Sequence, residues 1–250
     1  MIPILFRIGP LTLYSFGLMA ALAFLAGRWV LLRGLDRRGI PAQEGEIYTW
    51  AALIGGLVGG HVYYLIEHWD EVLQDPFRTI VSGAGLVWYG GLAGGVLAGL
   101  LVLKIKKHPL GPVADAFGPA LILAYAFGRI GCFLAGDGCY GRPSNVPWAM
   151  AFPKGVVPTT ELVHPTPIYE SLMAIWIFII LKRMEKRELP SGLVFCAYLG
   201  LASLERLIAG FTRQNPHVAF GLSTVQLISI AGMILSLVLA YLVRRRAEIR

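Results

Sequence analysis

The 250-residue chain is short of charged side chains, which make up 15% of its residues. A soluble domain carries roughly 25% charged residues. Hydrophobic residues make up 56% of the chain, and its mean hydropathy is +0.65. This composition excludes an ordinary soluble domain and predicts an integral membrane protein.

Cysteine is also scarce, with Cys132, Cys139 and Cys196 as the full set. Three cysteines at spacings of 7 and 57 residues fit neither a disulfide framework nor a zinc pattern. They are best read as small packing residues. Pairing of Cys132 with Cys139 stays open if the two lie on an oxidising face of the membrane.

Metal-ligand spacing is missing from the histidines as well, so we expect no metal centre and no cofactor. The five histidines are His61, His68, His108, His164 and His217.

The chain shows no low-complexity segment and no flexible linker, so residues 1–250 are predicted to form a single domain. Net charge is +7, but no basic patch is interleaved with stacking aromatics, and nucleic acid is therefore not expected as a partner. Alternation of period two is absent, which excludes a transmembrane β-barrel. Arg7 is the one basic residue before an apolar stretch that runs to Leu32, so we expect a retained first helix rather than a cleaved signal.

Long apolar stretches mark the membrane helices, each of which needs about 20 such residues. Seven are predicted, which makes the fold class all-α with seven transmembrane helices. The fifth is the weakest because it is short and opens with polar residues. The seven stretches are Leu11–Leu32, Ile47–Ile66, Leu86–Ile105, Val113–Leu134, Ile168–Leu181, Leu193–Ile208 and Leu222–Val243.

Lysine and arginine set the orientation of these helices. Of the 22 basic residues, fourteen lie at one set of helix ends, among them Arg33, Lys104, Lys182 and Arg250, and five lie at the opposite set. The richer side is cytoplasmic. The N-terminus is then outside, the C-terminus is inside, and a loop of about residues 135–165 faces the outer leaflet.

Ionisable side chains inside membrane spans are costly and are usually functional. On the predicted topology, Arg129, Arg206, Glu170 and the nearby Asp137 gather in the outer half of the membrane. Two arginine forks suit a phosphate group. The alternative is internal ion pairing of Arg129 with Glu170 and of Arg206 with Glu205.

Two prolines in the run HPTPIYE, residues 164–170, fix the backbone before the fifth helix. This arrangement predicts that His164 and Tyr169 are held rigidly. Tyr14 and Tyr89 lie in or near other spans, where an interfacial tyrosine is the default interpretation.

Several of these motifs together resemble the bacterial prolipoprotein diacylglyceryl transferases. The motifs are GRIGCFLAGDGCYGRP, HPTPIYE, LYSFGLM, WYGGLAGG and ERLIAGFTRQNP, and the similarity covers Ile8 to about Ser236. The resemblance implies an enzyme of the bacterial inner membrane. Such an enzyme moves the diacylglyceryl group of phosphatidylglycerol onto the lipobox cysteine of a preprolipoprotein, forming a thioether and releasing glycerol phosphate.

The same resemblance implies roles for individual residues. Arg129 matches the signature arginine and Arg206 the late arginine, both linked to the lipid headgroup. Asp137, Tyr14 and His164 match an acid, a first-span tyrosine and a motif histidine. We therefore predict a catalytic set and a lipid-binding set. The catalytic set is Arg129, Arg206, Tyr89, His164 and Asp137, and the binding set is Arg129, Arg206, Tyr14, Glu170 and Tyr169.

The chain also departs from the family pattern. Cys132 replaces an asparagine, Tyr89 a histidine and Gly210 a glutamate, and the turn after the signature is one residue longer. These changes leave the general base open among His164, Tyr89 and the acids. They also leave two other functions open: a non-catalytic or substrate-shifted relative that binds phospholipid, and a lipid transporter or flippase.

Overall fold

The computed structural model describes residues 1–9, 11–81, 85 and 87–248. The start of the third predicted span at Leu86, and Arg250 among the basic residues, lie outside the described residues. The helices in the described part are α1 (Ser15–Asp36), α2 (Ala42–Glu67), α3 (Trp69–Gln74), α4 (Pro76–Val81), α5 (Trp88–Lys106), α6 (Leu110–Ala135), α7 (Thr166–Met184), α8 (Leu193–Gly210) and α9 (Thr224–Glu248).

Six of these helices, α1, α2, α5, α6, α8 and α9, are long and apolar enough to cross a membrane. Helix α7 has 19 residues, but any 18-residue stretch of it contains Glu170, Lys182 and Arg183. It is the helix that the sequence marked as the weakest span. The chain is thus a mostly helical, multi-pass membrane protein.

Within the described residues, six short strands pair as three antiparallel two-stranded sheets that the all-helical prediction did not include. We call each pair a hairpin. The strands are β1 (Ile4–Ile8), β2 (Leu11–Tyr14), β3 (Met150–Phe152), β4 (Thr159–Val163), β5 (His217–Ala219) and β6 (Leu222–Ser223).

The predicted starts of the first and last spans were wrong because of these hairpins. Leu11–Tyr14 pairs with Ile4–Ile8 as a strand, and Leu222–Ser223 pairs with His217–Ala219. A few apolar residues at the edge of a long apolar stretch have the same hydropathy whether they form a strand or a helix. Pairing with a neighbouring strand decided the outcome.

The residues group into two compact units, one of residues 1–34 and 114–250 and the other of residues 35–113. Helices α1 and α6 each contribute residues to both units. The single-domain organisation stays a prediction.

In the first unit, α6, α7 and α8 pack through a buried aliphatic cluster. Three hydrogen bonds reinforce this packing. The Ser171 hydroxyl donates to the Ala126 carbonyl at 3.2 Å, and Asp115 accepts from the amides of Gly192, just before α8, and Phe195 at 2.7 and 2.8 Å. A carboxylate at a helix N-terminus satisfies amides that lack an intrahelical partner. The cluster consists of Ile122, Ala126, Ala174, Ile177, Leu181 and Val194.

In the second unit, α2 and α5 meet along a seam of glycines. A Cβ on Gly94 would lie 2.2 Å from the Gly55 carbonyl oxygen, and a Cβ on Gly59 would lie 2.4 Å from the Gly90 carbonyl oxygen. Backbones this close leave no room for a side chain, so the runs GGLVGG (residues 55–60) and GGLAGG (residues 90–95) form a tight packing surface.

Candidate active site

Three arginines surround one buried glutamate at the meeting point of α6, α7 and α8, and we call this group the arginine cluster. Glu170 Oε1 accepts from Arg206 Nη1 at 2.6 Å and from Arg213 Nη1 at 3.0 Å. Glu170 Oε2 lies 3.3 Å from Arg129 Nε. The predicted convergence of Arg129, Arg206 and Glu170 is therefore confirmed by direct contact.

Burial differs sharply between the acid and its partners. The Glu170 side chain is 0% exposed, whereas those of Arg129, Arg206 and Arg213 are 17%, 29% and 14% exposed. Each guanidinium carries five N–H donors, and one carboxylate accepts only a few hydrogen bonds. The cluster therefore carries excess positive charge and donor capacity beyond what Glu170 satisfies.

Arg206 pairs with Glu170 and not with Glu205, which corrects one of the pairings that the sequence left open. Neighbouring helix residues project about 100° apart, so Glu205 and Arg206 face different sides of α8. Glu205 instead accepts from the Tyr125 hydroxyl at 3.3 Å. The Tyr125 ring in turn lies under the Arg129 guanidinium, 4.8 Å from the ring centroid, as a cation–π contact. Even with Glu205 counted, three guanidiniums face two carboxylates.

Short loops bring Arg213 to the cluster. Gly141 pairs with Arg213 in an isolated β-bridge, and its amide donates to the His164 carbonyl at 2.8 Å. A Cβ on Gly141 would lie 2.4 Å from the Thr212 carbonyl oxygen. The Thr166 and Thr212 hydroxyls meet at 3.1 Å. These contacts tie the start of α7 and the end of α8 to the loop after the signature motif.

His164 and Tyr169 form a hydrogen-bonded pair at the start of α7. His164 Nδ1 lies 3.3 Å from the Tyr169 hydroxyl, and Trp148 Nε1 donates to that hydroxyl at 2.5 Å. The imidazole and phenol rings meet edge to face. The predicted rigid placement of His164 and Tyr169 is supported by these contacts, and Trp148 is a partner that sequence reasoning missed.

Asp137 lies in the turn that follows α6, where its Oδ1 accepts from the Cys139 amide at 3.1 Å. Gly136 and Gly138 on either side have φ of +61° and +85°, values that glycine adopts without strain. The Val157 amide donates to the Gly136 carbonyl at 2.9 Å, which fastens the turn to the opposite loop.

Cys132, Asp137 and Cys139 place two sulfurs and a carboxylate oxygen within 4.8 Å of one another. Cys132 is buried and Cys139 half-buried. A hydrogen bond from the Cys132 thiol lowers the pKa of Cys139 to about 7. The spacing suits three metal ligands, but Arg129 Nη1 lies 3.9 Å from Cys132 Sγ, and a fixed positive charge there disfavours a metal cation.

Tyr14 is the last residue of β2 rather than part of the first helix, and its side chain is 54% exposed. The Ser15 amide donates to the Pro3 carbonyl at 2.9 Å, and the Ile2 amide donates to the Leu134 carbonyl at 3.1 Å. The bond to Leu134 attaches the first hairpin to the end of α6 that leads into the Asp137 turn.

Tyr89 and Gly210 are two of the departures from the family pattern noted above. Tyr89 lies in the first turn of α5, in the second unit, with 60% of its side chain exposed. Gly210 ends α8, and a Cβ there would lie 2.6 Å from Gln226 Cγ. The buried Gln226 side chain therefore fills the space that a larger residue at position 210 would need.

Arg213 is a candidate functional residue that sequence reasoning missed. The sequence does hold a signal for it, since Arg213 follows Arg206 by seven residues. Seven residues are about two turns of a helix, which returns a side chain to the same face. Helix α8 ends at Gly210, yet Arg213 still reaches the same glutamate oxygen.

Comparison with known proteins gives a consistent result over nearly the whole chain. The family model described as prolipoprotein diacylglyceryl transferase matches residues 3–242. A phosphatidylglycerol–prolipoprotein diacylglyceryl transferase of Geobacter sulfurreducens is 34% identical over 98% of this chain and 96% of its own length. One of Clostridium tetani is 34% identical over 94% and 95%. One of Mannheimia succiniciproducens is 34% identical over 99% and 95%.

Proposed function

Because the chain belongs to the prolipoprotein diacylglyceryl transferase family, we propose that it transfers the diacylglyceryl group of phosphatidylglycerol to the lipobox cysteine of preprolipoproteins. The sulfur of that cysteine attacks the glycerol carbon that carries the phosphate ester. A C–S bond forms, the C–O bond breaks, and glycerol phosphate leaves with the electron pair.

The arginine cluster is the observation that supports this chemistry. Negative charge accumulates on the phosphate as the C–O bond breaks. Fixed positive donors aimed at that charge stabilise the transition state more than the ground state. Arg129 and Arg206 bind the phosphate in this proposal, and Arg213 is added to them because it contacts the same Glu170 oxygen as Arg206.

Glu170 positions the arginines rather than the lipid. Its side chain is fully buried and contacts all three guanidiniums. One carboxylate holds them in one place against their mutual repulsion, and it leaves them with enough excess charge to attract a phosphate.

A proton must leave the substrate thiol because the thiolate is the nucleophile. His164 is the preferred base, since imidazole is the side chain that most readily exchanges a proton near neutral pH. Tyr169 holds the His164 ring through the 3.3 Å contact. Tyr89 and Asp137 stay predicted members of the catalytic set, and Tyr14 a predicted member of the binding set at the exposed end of the first hairpin.

The membrane placement follows from the basic helix ends. Basic residues occupy the last turns of α1, α5, α7 and α9, which favours seven spans with the N-terminus outside and the C-terminus in the cytoplasm. On this topology the arginine cluster lies in the outer half of the bacterial inner membrane. There it meets both phosphatidylglycerol and the signal peptides of exported preprolipoproteins.

A direct test uses the purified protein in detergent with phosphatidylglycerol and a lipobox peptide. We expect the peptide mass to rise by one diacylglyceryl group, with one glycerol phosphate released for each modified peptide. A peptide with serine in place of the lipobox cysteine is the control and should gain no mass.

The other outcomes contradict the proposal in distinguishable ways. Lipid binding without a peptide mass change indicates a non-catalytic relative. Movement of labelled lipid between the leaflets of reconstituted vesicles, again without transfer, indicates a flippase.

A further inference from the structure

The two cysteines beside the arginine cluster have no part in the proposed reaction, although they lie close together. Cys132 is in the last turn of α6 and Cys139 is in the turn that follows it. Their sulfurs are within 4.8 Å of each other. A disulfide has an S–S distance of about 2.05 Å, so bonding would require side-chain rotation and a shift of the turn.

The two thiols differ in burial and in location, and this difference indicates which of them reacts first. Cys139 is half-buried in an irregular turn, whereas Cys132 is buried in a helix. An oxidant arriving from solvent therefore meets Cys139 first. Arg129 Nη1 lies 3.9 Å from Cys132 Sγ, so Cys132 faces the arginine cluster whereas Cys139 lies in the turn.

We propose that Cys132 and Cys139 are a redox-active dithiol that disulfide oxidants convert into an intramolecular disulfide, with Cys139 attacking first and Cys132 resolving. The Cys139 thiolate attacks one sulfur of the oxidant and displaces a thiolate, which leaves a mixed disulfide. The Cys132 thiol then loses its proton to the displaced thiolate and attacks Cys139 Sγ. The second thiolate leaves and takes up from solvent the equivalent of the proton that Cys139 gave up. Two electrons and two protons pass to the oxidant in total.

The disulfide would close an eight-residue ring from the end of α6 to the turn that Asp137 stabilises. The disulfide would also move Cys132 Sγ relative to Arg129, which is a member of the arginine cluster. Formation of this disulfide involves the two thiols alone and does not depend on the transfer reaction.

The experiment uses the full-length protein in detergent with a metal chelator present throughout. The reduced protein is exposed to oxidised glutathione, quenched with acid and alkylated with N-ethylmaleimide after denaturation. We expect three alkylated cysteines before oxidation and one, Cys196, after it. Cys132 and Cys139 share a tryptic peptide, expected to cover residues 130–154, which should lose two hydrogens without a change in the oligomeric state.

Three variants separate the two roles and control for the third cysteine. Cys132→Ser should accumulate glutathione on Cys139, and it should do so at least about tenfold faster than Cys139→Ser acquires glutathione on Cys132. Cys196→Ser should form the internal disulfide as the parent does.

Three alkylated cysteines in the oxidised parent would overturn the proposal. So would glutathione that stays on Cys139 in the parent, or a disulfide between two copies of the chain. Because the first measurement uses the unaltered chain, a variant that fails to fold does not remove the test.

Discussion

The arginine cluster and the glycine seam between α2 and α5 are packed in opposite ways. The seam brings uncharged backbones into contact, and the cluster brings charged side chains together. Along the seam between α2 and α5, backbones touch because no side chain stands between them, and stability comes from close contact of apolar surfaces. In the cluster, three always-charged groups are gathered around a single fully buried carboxylate.

The contrast shows how a stability requirement can be told from a functional one. The glycines of the seam are uncharged and have no side chain with which to bind a ligand. The cluster concentrates like charges, which costs free energy unless a partner balances them. Glu170 provides part of that balance in the protein itself, and a substrate phosphate would provide the rest.

The largest expected effect comes from removing the central acid. Glu170→Gln leaves three guanidiniums without their shared counter-charge, and loss of one partner of a buried ion pair costs about 3 kcal/mol or more. We expect a lower unfolding temperature in detergent, measured by the intrinsic fluorescence of the tryptophans. The matched control is Glu161→Gln, at an exposed position in β4. Equal stability of the two variants would show that Glu170 does not hold the cluster together.

The next effect is on activity rather than stability. Arg206→Ala removes a phosphate donor, and loss of one such donor slows transfer by about 10²- to 10³-fold. Arg206→Lys should recover part of the rate, because lysine keeps the charge but not the planar fork. Arg245→Ala, at the exposed end of α9, is the control and should transfer normally. Transfer by a folded Arg206→Ala protein at the parent rate would remove the cluster from the mechanism.

In the glycine seam, by contrast, a substitution should change the stability of the protein and not the transfer reaction. Gly94→Ala places a Cβ 2.2 Å from the Gly55 carbonyl oxygen, and overpacking of this kind costs about 2 kcal/mol. Gly99, on the same helix, has open space around it, so Gly99→Ala should unfold at the parent temperature or slightly above it. If both substitutions behave alike in thermal unfolding, the seam is not a packing interface.

The smallest expected effect concerns the positive electrostatic potential of the arginine cluster. It tests whether that potential extends into the turn after α6, which contains Cys139. The pKa of Cys139 is lowered to about 7, first by the hydrogen bond from Cys132 and also by the positive charge of Arg213. The thiolate is therefore present above about pH 7, and alkylation of Cys139 should rise through that pH rather than through about 8.5. Arg213→Gln should move the midpoint upward, as followed by mass spectrometry of the Cys139 peptide. If the pH midpoint of Cys139 alkylation does not change, the positive potential of the arginine cluster does not extend beyond the helices into the turn.

Much of the site was predictable because ionisable residues in apolar stretches are conspicuous. Arg129, Arg206 and Glu170 stood out for that reason, and they do meet. The ion pairs were harder to predict. The sequence suggested Glu205 as the partner of Arg206, because the two residues are adjacent. The rotation of α8 turns these neighbours apart and directs Arg206 to α7.

Other parts of the fold were hidden for different reasons. Arg213 lies beyond the end of α8, in a loop that pairs with Gly141, and it contacts Glu170 from there. Its seven-residue spacing from Arg206 does not by itself reveal this contact, because the helix ends before Arg213. Trp148 reaches Tyr169 across 21 residues of sequence. The short hairpins were missed because their apolar strands merge with the neighbouring apolar helices.

By itself, the sequence determined the membrane class, the long helices and the family, since hydropathy, helix length and the spacing of motifs along the chain are local properties. Tertiary structure alone decided which acid holds the arginines, that a third arginine joins them, and that Cys132 and Cys139 lie side by side. Those facts depend on helix rotation and on loops that close back onto helix ends. Charge and hydrogen-bond energies fall steeply with distance, so the partners become known only once the chain is folded.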